Sequence, residues 1–165
     1  MSKQFKGQAE KNAYDKAVQA FARTKLGGYL FITVFPWLDT RLMPLTRGRV
    51  RVGIGQPIVL LHNTGANSGQ PRLTPLLYTA HEDKIVIVAS KAGAVAHPAW
   101  YHNVVAYPDV EAEIDGVRRP MRARVAEGAE RDDLWALVND HYNGYAIYQE
   151  RAGGREIPVV VLEPR

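Results

Sequence analysis

The segment Gly65-Ala66-Asn67-Ser68-Gly69-Gln70-Pro71-Arg72 combines two glycines, a hydroxyl and a guanidinium between two apolar runs. Glycine permits close backbone approach, serine adds a hydroxyl and backbone donors, and an arginine fork grips an oxyanion, so the segment has the parts of a phosphate or carboxylate cradle. A polar hairpin loop with a solvated arginine accounts for the same residues. No Gly-Lys-Ser/Thr follows, which excludes a Walker loop, and no G-x-G-x-x-G opens a helix, which excludes a Rossmann fingerprint. Ala89-Ser90-Lys91-Ala92-Gly93 ends the run after next. Pairing of neighbouring strands would carry Ser90 and Lys91 to the same rim as Arg72, unless Lys91 is a strand-end lysine pointing into water.

Two aromatic groups complete the set. Pro98-Ala99-Trp100-Tyr101-His102-Asn103 reads as the opening of a helix whose aromatics suit a core, while Asn103 has the donor and acceptor of a ring-edge hydrogen-bonder. Tyr142, Tyr145 and Tyr148 are spaced by three, along one side of a helix or loose turn. A core usually takes Leu or Phe there, because each buried hydroxyl needs a partner, so a half-open aromatic pocket wall is the alternative. A phenol is protonated at neutral pH and can donate to a developing anion. The five histidines contain no i, i+4 pair, no Ser sits in G-x-S-x-G, and there is no cysteine, which removes helical zinc sites, the hydrolase elbow and thiol chemistry.

The elements that must hold these groups follow from length and patterning. A chain of 165 residues is one domain's worth, and 46% hydrophobic with 23% charged residues excludes disorder for most of it. Ile58 to Asn63, Leu73 to Thr79 and Lys84 to Ser90 read as strands, the last two joined through Ala80-His81-Glu82-Asp83. His97 to Ala106 reads as a short helix. Asp109 to Asp115 and Val117 to Val125 form a hairpin about Asp115-Gly116, with Pro120 marking an edge or bulge. Ala129 to Asn139 is helical and Ile157 to Leu162 is a closing strand. Six strands in hairpin order, without strand-helix alternation, predict an α+β protein: a small antiparallel barrel decorated by helices, with any ligand in a groove outside it. Arg118, Arg122 and Arg124 share one strand face, and a solvated barrel face opposite acidic Asp109 to Asp115 explains them better than nucleic acid does.

Residues 1–57 hold ten Lys/Arg against Glu10, Asp15 and Asp39, whereas the remainder is net acidic. Ala9 to Lys25 reads as a basic amphipathic helix. Leu26 to Leu38, the longest run free of Asp, Glu, Lys, Arg and His at thirteen residues, is short of the roughly 20 that cross a bilayer. The expectation is a cytoplasmic protein, with residues 1–44 a helical segment packed on a barrel of residues 45–165 and peripheral contact with a membrane allowed but not required.

The order of Leu60-Leu61-His62-Asn63-Thr64 and the Gly65–Arg72 segment, then Ala89-Ser90-Lys91, Pro98-Ala99-Trp100-Tyr101-His102-Asn103, the tyrosines and Ile157-Pro158-Val159-Val160-Val161 resembles the deazaflavin-dependent nitroreductases of actinobacteria. The resemblance implies a split β-barrel, coenzyme F420 in a groove, and hydride transfer to a quinone, enone or nitroaromatic. It further implies that Ala66, Asn67, Ser68, Gly69, Gln70, Pro71 and Arg72 hold the phosphate and glutamate tail, with Lys91 contributing. Leu73, Thr74, Pro75, Leu76, Leu77, Val88, Ala89, Ser90, Ala99, Trp100, Tyr101, His102 and Asn103 would line the coenzyme. Tyr78, Tyr142, Tyr145 and Tyr148 would form the substrate pocket, with Tyr145 and Ser90 stabilising or protonating the anion formed. Family members commonly carry basic residues where this chain has Ala66 and Asn67, which removes charge-assisted contacts to the tail. The competing expectations are a lipid or aromatic-ligand carrier on the same groove and FMN in place of F420. The chain is expected as monomer or homodimer, without nucleic acid and without metal.

Overall fold

The computed structural model describes residues 57–165; the expected helix over Ala9–Lys25, the run 26–38 and most of the basic leading segment lie outside them. Six strands follow in order: β1 (Ile58–Thr64), β2 (Pro71–His81), β3 (Lys84–Val88), β4 (Asp109–Ile114), β5 (Val117–Val125) and β6 (Val159–Pro164). α1 (Ala99–Ala106) joins β3 to β4, and α2 (Gly128–His141) and α3 (Gly144–Arg151) join β5 to β6. Every pair is antiparallel in the order β1-β2-β3-β6-β5-β4, and β4 returns to β1 with Leu61 opposite Ala112, closing the barrel. The α+β barrel expected from the hairpin order is the observed one. No helix among the described residues is long and apolar enough to cross a membrane.

Alternation explains where the core sits. Val59, Leu61, Ile85, Ile87, Val110, Ala112, Met121, Ala123, Val160 and Leu162 point inward, and Trp100 and Val104 of α1 join them. Val86, Val88, Val159 and Val161 point outward but are buried beneath Leu134 and Val138 of α2 and the tyrosines of α3. Covered on both faces, β3 and β6 therefore read as continuous apolar runs rather than alternating ones.

The turns and prolines obey local chemistry. Asp115 at φ 53 and Gly116 at φ 80 make the two-residue turn that matches strand twist. The β2–β3 turn is shorter than expected: Ala80 pairs with Ile85 and His81 with Lys84, leaving Glu82, at φ 55, and Asp83 to turn. Tyr78 donates its amide to the Pro57 carbonyl at 3.3 Å. By the two-residue period, positions 76, 74 and 72 also face β1, whereas 77, 75, 73 and 71 face the opposite edge. Pro71 and Pro75 both fall on that opposite edge, where β3 pairs β2 only from Tyr78 onward and no N–H is required. Pro120 accepts from the Arg165 amide at 3.3 Å, just before the β5–β6 pairing begins at Met121 opposite Pro164, so its missing N–H also costs no ladder bond.

The arginine stripe of β5 is neutralised. Arg118 meets Glu111 and Glu113, Arg122 meets Asp109, and Arg124 meets Glu130 and Glu163. The hydrogen bonds from Arg124 hold both the Glu130 and the Glu163 carboxyls below the usual range.

Candidate functional site

The antiparallel order puts the tight turns at Glu82-Asp83 and Asp115-Gly116 at one end of the barrel. The 65–70 loop, the connection from β3 to α1, and the start of the α2–α3 excursion all leave from the other end. The candidate residues therefore gather at that second end by topology.

An amide relay shapes the loop. The Ala66 N–H donates to Asn103 Oδ1 at 2.8 Å, Asn103 Nδ2 donates to Asn63 Oδ1 at 2.7 Å, and Asn63 Nδ2 donates to the Leu61 carbonyl at 3.2 Å. Each amide's orientation is dictated by the one before it, because a backbone N–H can only donate. Asn103 is buried, so its carboxamide is spent inside the protein and grips the loop instead of a ring edge. A Cβ at Gly65 would lie 2.6 Å from Ser68 Oγ, so a larger residue there would turn the Ser68 hydroxyl away from its present place.

Arg72 and Lys91 are exposed, and Arg72 donates to Ser68 Oγ at 3.4 Å. Neither forms an ion pair among the described residues, unlike Arg118, Arg122 and Arg124. Between them β2 presents Leu73, Thr74, Pro75, Leu76 and Leu77, half-buried and with one strand edge unpaired among the described residues.

Ser90 to Gly93 forms a strained turn. Lys91 at φ 47 and Ala92 at φ 49 occupy the left-handed region without being glycine, a conformation that persists only when its surroundings enforce it. Gly93 follows at φ 80, and a Cβ there would sit 2.7 Å from the Tyr148 carbonyl oxygen. The enforcing group is one that the sequence reading missed. Arg155, beyond α3, donates Nε to the Ala94 carbonyl at 3.1 Å, one terminal nitrogen to Ala89 O at 3.3 Å and His97 Nδ1 at 3.1 Å, and the other to Ser90 O at 3.0 Å and Ala94 O at 2.7 Å. No sequence signal marks it, because four of its five contacts are to backbone carbonyls.

The tyrosines correct the expectation of an open wall. Tyr142, Tyr145 and Tyr148 are 6%, 8% and 7% exposed and pack on the outer face of β3 and β6. The Tyr142 and Tyr148 hydroxyls bond each other at 2.9 Å, which satisfies the partner requirement that made a tyrosine core look costly. Gly144 admits the Tyr142 ring, since a Cβ there would overlap it. The Tyr145 hydroxyl makes no hydrogen bond among the described residues, and burial, then Tyr148, pushes its pKa well above the ordinary phenol value. Tyr78 lies in the barrel interior, as inward-facing positions of β2 must, and Trp100 is likewise interior. Neither forms a pocket wall. Ala99 and His102 are exposed, and the His102 ring lies 5.7 Å from Tyr101 and 5.8 Å from His97.

Residues 41–164 match the model of the F420H(2)-dependent quinone reductase family. The chain belongs to this family. It is therefore an oxidoreductase whose coenzyme is F420. It is similar to an F420H(2)-dependent quinone reductase of Mycobacterium tuberculosis H37Rv, 43% identical over 125 residues that cover 73% of this chain and 83% of the relative. Among solved structures, an F420-H2 dependent reductase matches with a TM-score of 0.60 at 42% identity, covering 65% of this chain and 94% of the other. A second, described as a domain-swapped dimer, matches with a TM-score of 0.62 at 37% identity, covering 77% and 97%.

Proposed function

We propose that the reductase delivers hydride from reduced F420 to a quinone, and that Arg72 and Lys91 hold the coenzyme's phosphate and glutamate tail. One observation carries this reading: two exposed cations without carboxylate partners among the described residues flank a half-buried apolar strand whose edge is unpaired among them. The donor set suits such a coenzyme. Two cations match an anionic tail, the outward amides of Leu73 and Leu77 match ring carbonyls, and the side chains of Leu73 and Leu77, on one face of the strand, offer apolar surface to a flat ring.

When bound, the reduced coenzyme supplies the hydride. The protein's own residues position and exclude water. Asn103 and Asn63 hold the 65–70 loop, Ser68 and Arg72 form its polar lip, and Ala66 and Asn67 leave the tail contacts to Arg72 and Lys91. A quinone that accepts hydride becomes an oxyanion and then takes a proton. Tyr145, kept protonated by burial, donates a hydrogen bond to that oxyanion, with Ser90 the second hydroxyl in this role. Enones and nitroaromatics develop negative charge on oxygen in the same way and are the next acceptors in order. The solved relative that is a domain-swapped dimer supports a homodimer as the assembled form, which light scattering reads directly.

The test is anaerobic mixing of the reductase, reduced F420 and a naphthoquinone, following the return of oxidised deazaflavin absorbance. Protein-dependent oxidation with one quinone consumed per coenzyme is expected. Turnover with an enone or nitroaromatic but not with any quinone would overturn the acceptor assignment. Absence of turnover with all three would overturn the proposed class of acceptor.

A further inference from the structure

We infer that Arg155 is the positioning residue that draws the end of β3 away from β2, keeping the groove open and setting Ser90 and Lys91 on its rim. This rests on the reading that Ser90 and Lys91 face the coenzyme.

The register shows what the chain would otherwise do. β2 and β3 pair through Tyr78 opposite Ile87, so continued pairing would bring Val88 opposite Leu77 and Ser90 opposite Pro75. Position 75 faces that edge but has no N–H, so β2 offers the Ser90 carbonyl nothing to accept. Arg155 offers a charged donor instead, at 3.0 Å, and takes the carbonyls on either side of the turn as well, Ala89 at 3.3 Å and Ala94 at 2.7 Å. The proline denies β3 the rung at Ser90, and the guanidinium takes that carbonyl from the other side.

All five N–H donors of the guanidinium are occupied, four by carbonyls and one by His97 Nδ1. A planar fork of five donors can hold three carbonyls of a left-handed turn in one geometry, which a lysine with three rotatable donors cannot. Arg155 makes no ion pair among the described residues, so its cation serves the backbone rather than a carboxylate. The residue is itself anchored. Gln149 of α3 donates Nε2 to the Arg155 carbonyl at 2.7 Å and accepts from the Ile157 N–H at 2.8 Å. α3, which carries Tyr145, is thereby linked to the Ser90-Lys91 turn through two side chains.

The experiment is fluorescence titration of Arg155→Lys, Arg155→Met, Gln149→Ala and Lys91→Ala with F420, each beside a thermal melt. Loss of folded protein lowers the number of sites titrated and leaves each site's Kd alone, so Kd separates positioning from mere stability. Arg155→Met is expected to raise Kd by about tenfold or more, a loss of one charge-assisted contact's worth, with Arg155→Lys between it and the parent protein. Hydrogen exchange at the Gly93 and Ala94 amides, which bond Ser90 and Lys91 carbonyls, should accelerate in parallel. If Arg155→Met does not fold, Gln149→Ala is expected to move Kd and the two amides in the same direction by a smaller factor. Unchanged Kd in the Arg155 variants (or in Gln149→Ala, should they not fold), with Lys91→Ala weakened, would overturn the inference and leave the tail assignment standing. Unchanged Kd in Lys91→Ala would overturn the reading of Lys91 beneath it.

Discussion

Replacing Asn103 with alanine should cost stability first and coenzyme affinity second. The substitution strands the Ala66 N–H and Asn63 Oδ1, which now bond Asn103 at 2.8 and 2.7 Å. A buried polar group left without a partner costs about 1 to 3 kcal/mol, and because Asn63 is buried while Ala66 is half-buried, the two together cost about 2 to 4 kcal/mol. At about 2 to 4 °C per kcal/mol for a chain of this size, the melting temperature should fall by about 5 to 15 °C. Asn103→Asp keeps the acceptor for Ala66 but loses the donor to Asn63 and sets a carboxylate against its carbonyl, so it should melt lower than the parent too. Differential scanning fluorimetry reads both, and an F420 titration of the folded variant should show a weaker Kd because the loop is no longer held. A variant that melts with the parent protein while losing coenzyme affinity would refute the relay and return Asn103 to a ring-contacting role.

Tyr145→Phe removes a hydroxyl that has no hydrogen bond among the described residues, so stability should change by less than about 1 kcal/mol while turnover falls by about tenfold or more, a kcat effect seen in steady-state assays. The His97 pKa is lowered from 6.5 by burial, then by Arg155 and His102 beside it, with the Tyr101 ring tilted against it at 4.6 Å. Its contribution to stability is therefore complete above about pH 6.5 and lost as pH falls toward the lower folded value, and melts at descending pH should show this slope flattened in His97→Asn. Gly93→Ala meets both a φ of 80 and the Tyr148 carbonyl, whereas Gly154→Ala meets a φ of 85 and open space. The first should therefore melt lower than the second, and equal melting temperatures would contradict the close packing of the turn on α3.

The barrel was legible in the sequence because hairpin signals and period-two burial are local. Asp115-Gly116 and the flanking alternation place β4 and β5 almost to the residue. β2 reads too short because Pro71 looks like a strand boundary and Ala80-His81 like part of the turn, and only the pairing shows that the missing N–H groups of Pro71 and Pro75 face an edge β3 has left. The tyrosines were legible as a cluster but not as core, since nothing in a spacing of three reveals that the Tyr142 and Tyr148 hydroxyls satisfy each other. Arg72 and Lys91 announce themselves by their neighbours in sequence. Arg155 does not, because backbone carbonyls carry no sequence identity and an arginine after Gly153-Gly154 looks like any solvated loop residue.

Arg72 and Lys91, two cations without carboxylate partners among the described residues, are proposed to hold an anionic tail. The most direct measurement titrates the parent reductase and Arg72→Ala/Lys91→Ala with F420 and with a deazaflavin analogue lacking the phosphate and glutamates. The parent is expected to prefer F420, and the double variant to bind both ligands alike. An undiminished preference for F420 in the double variant would contradict it.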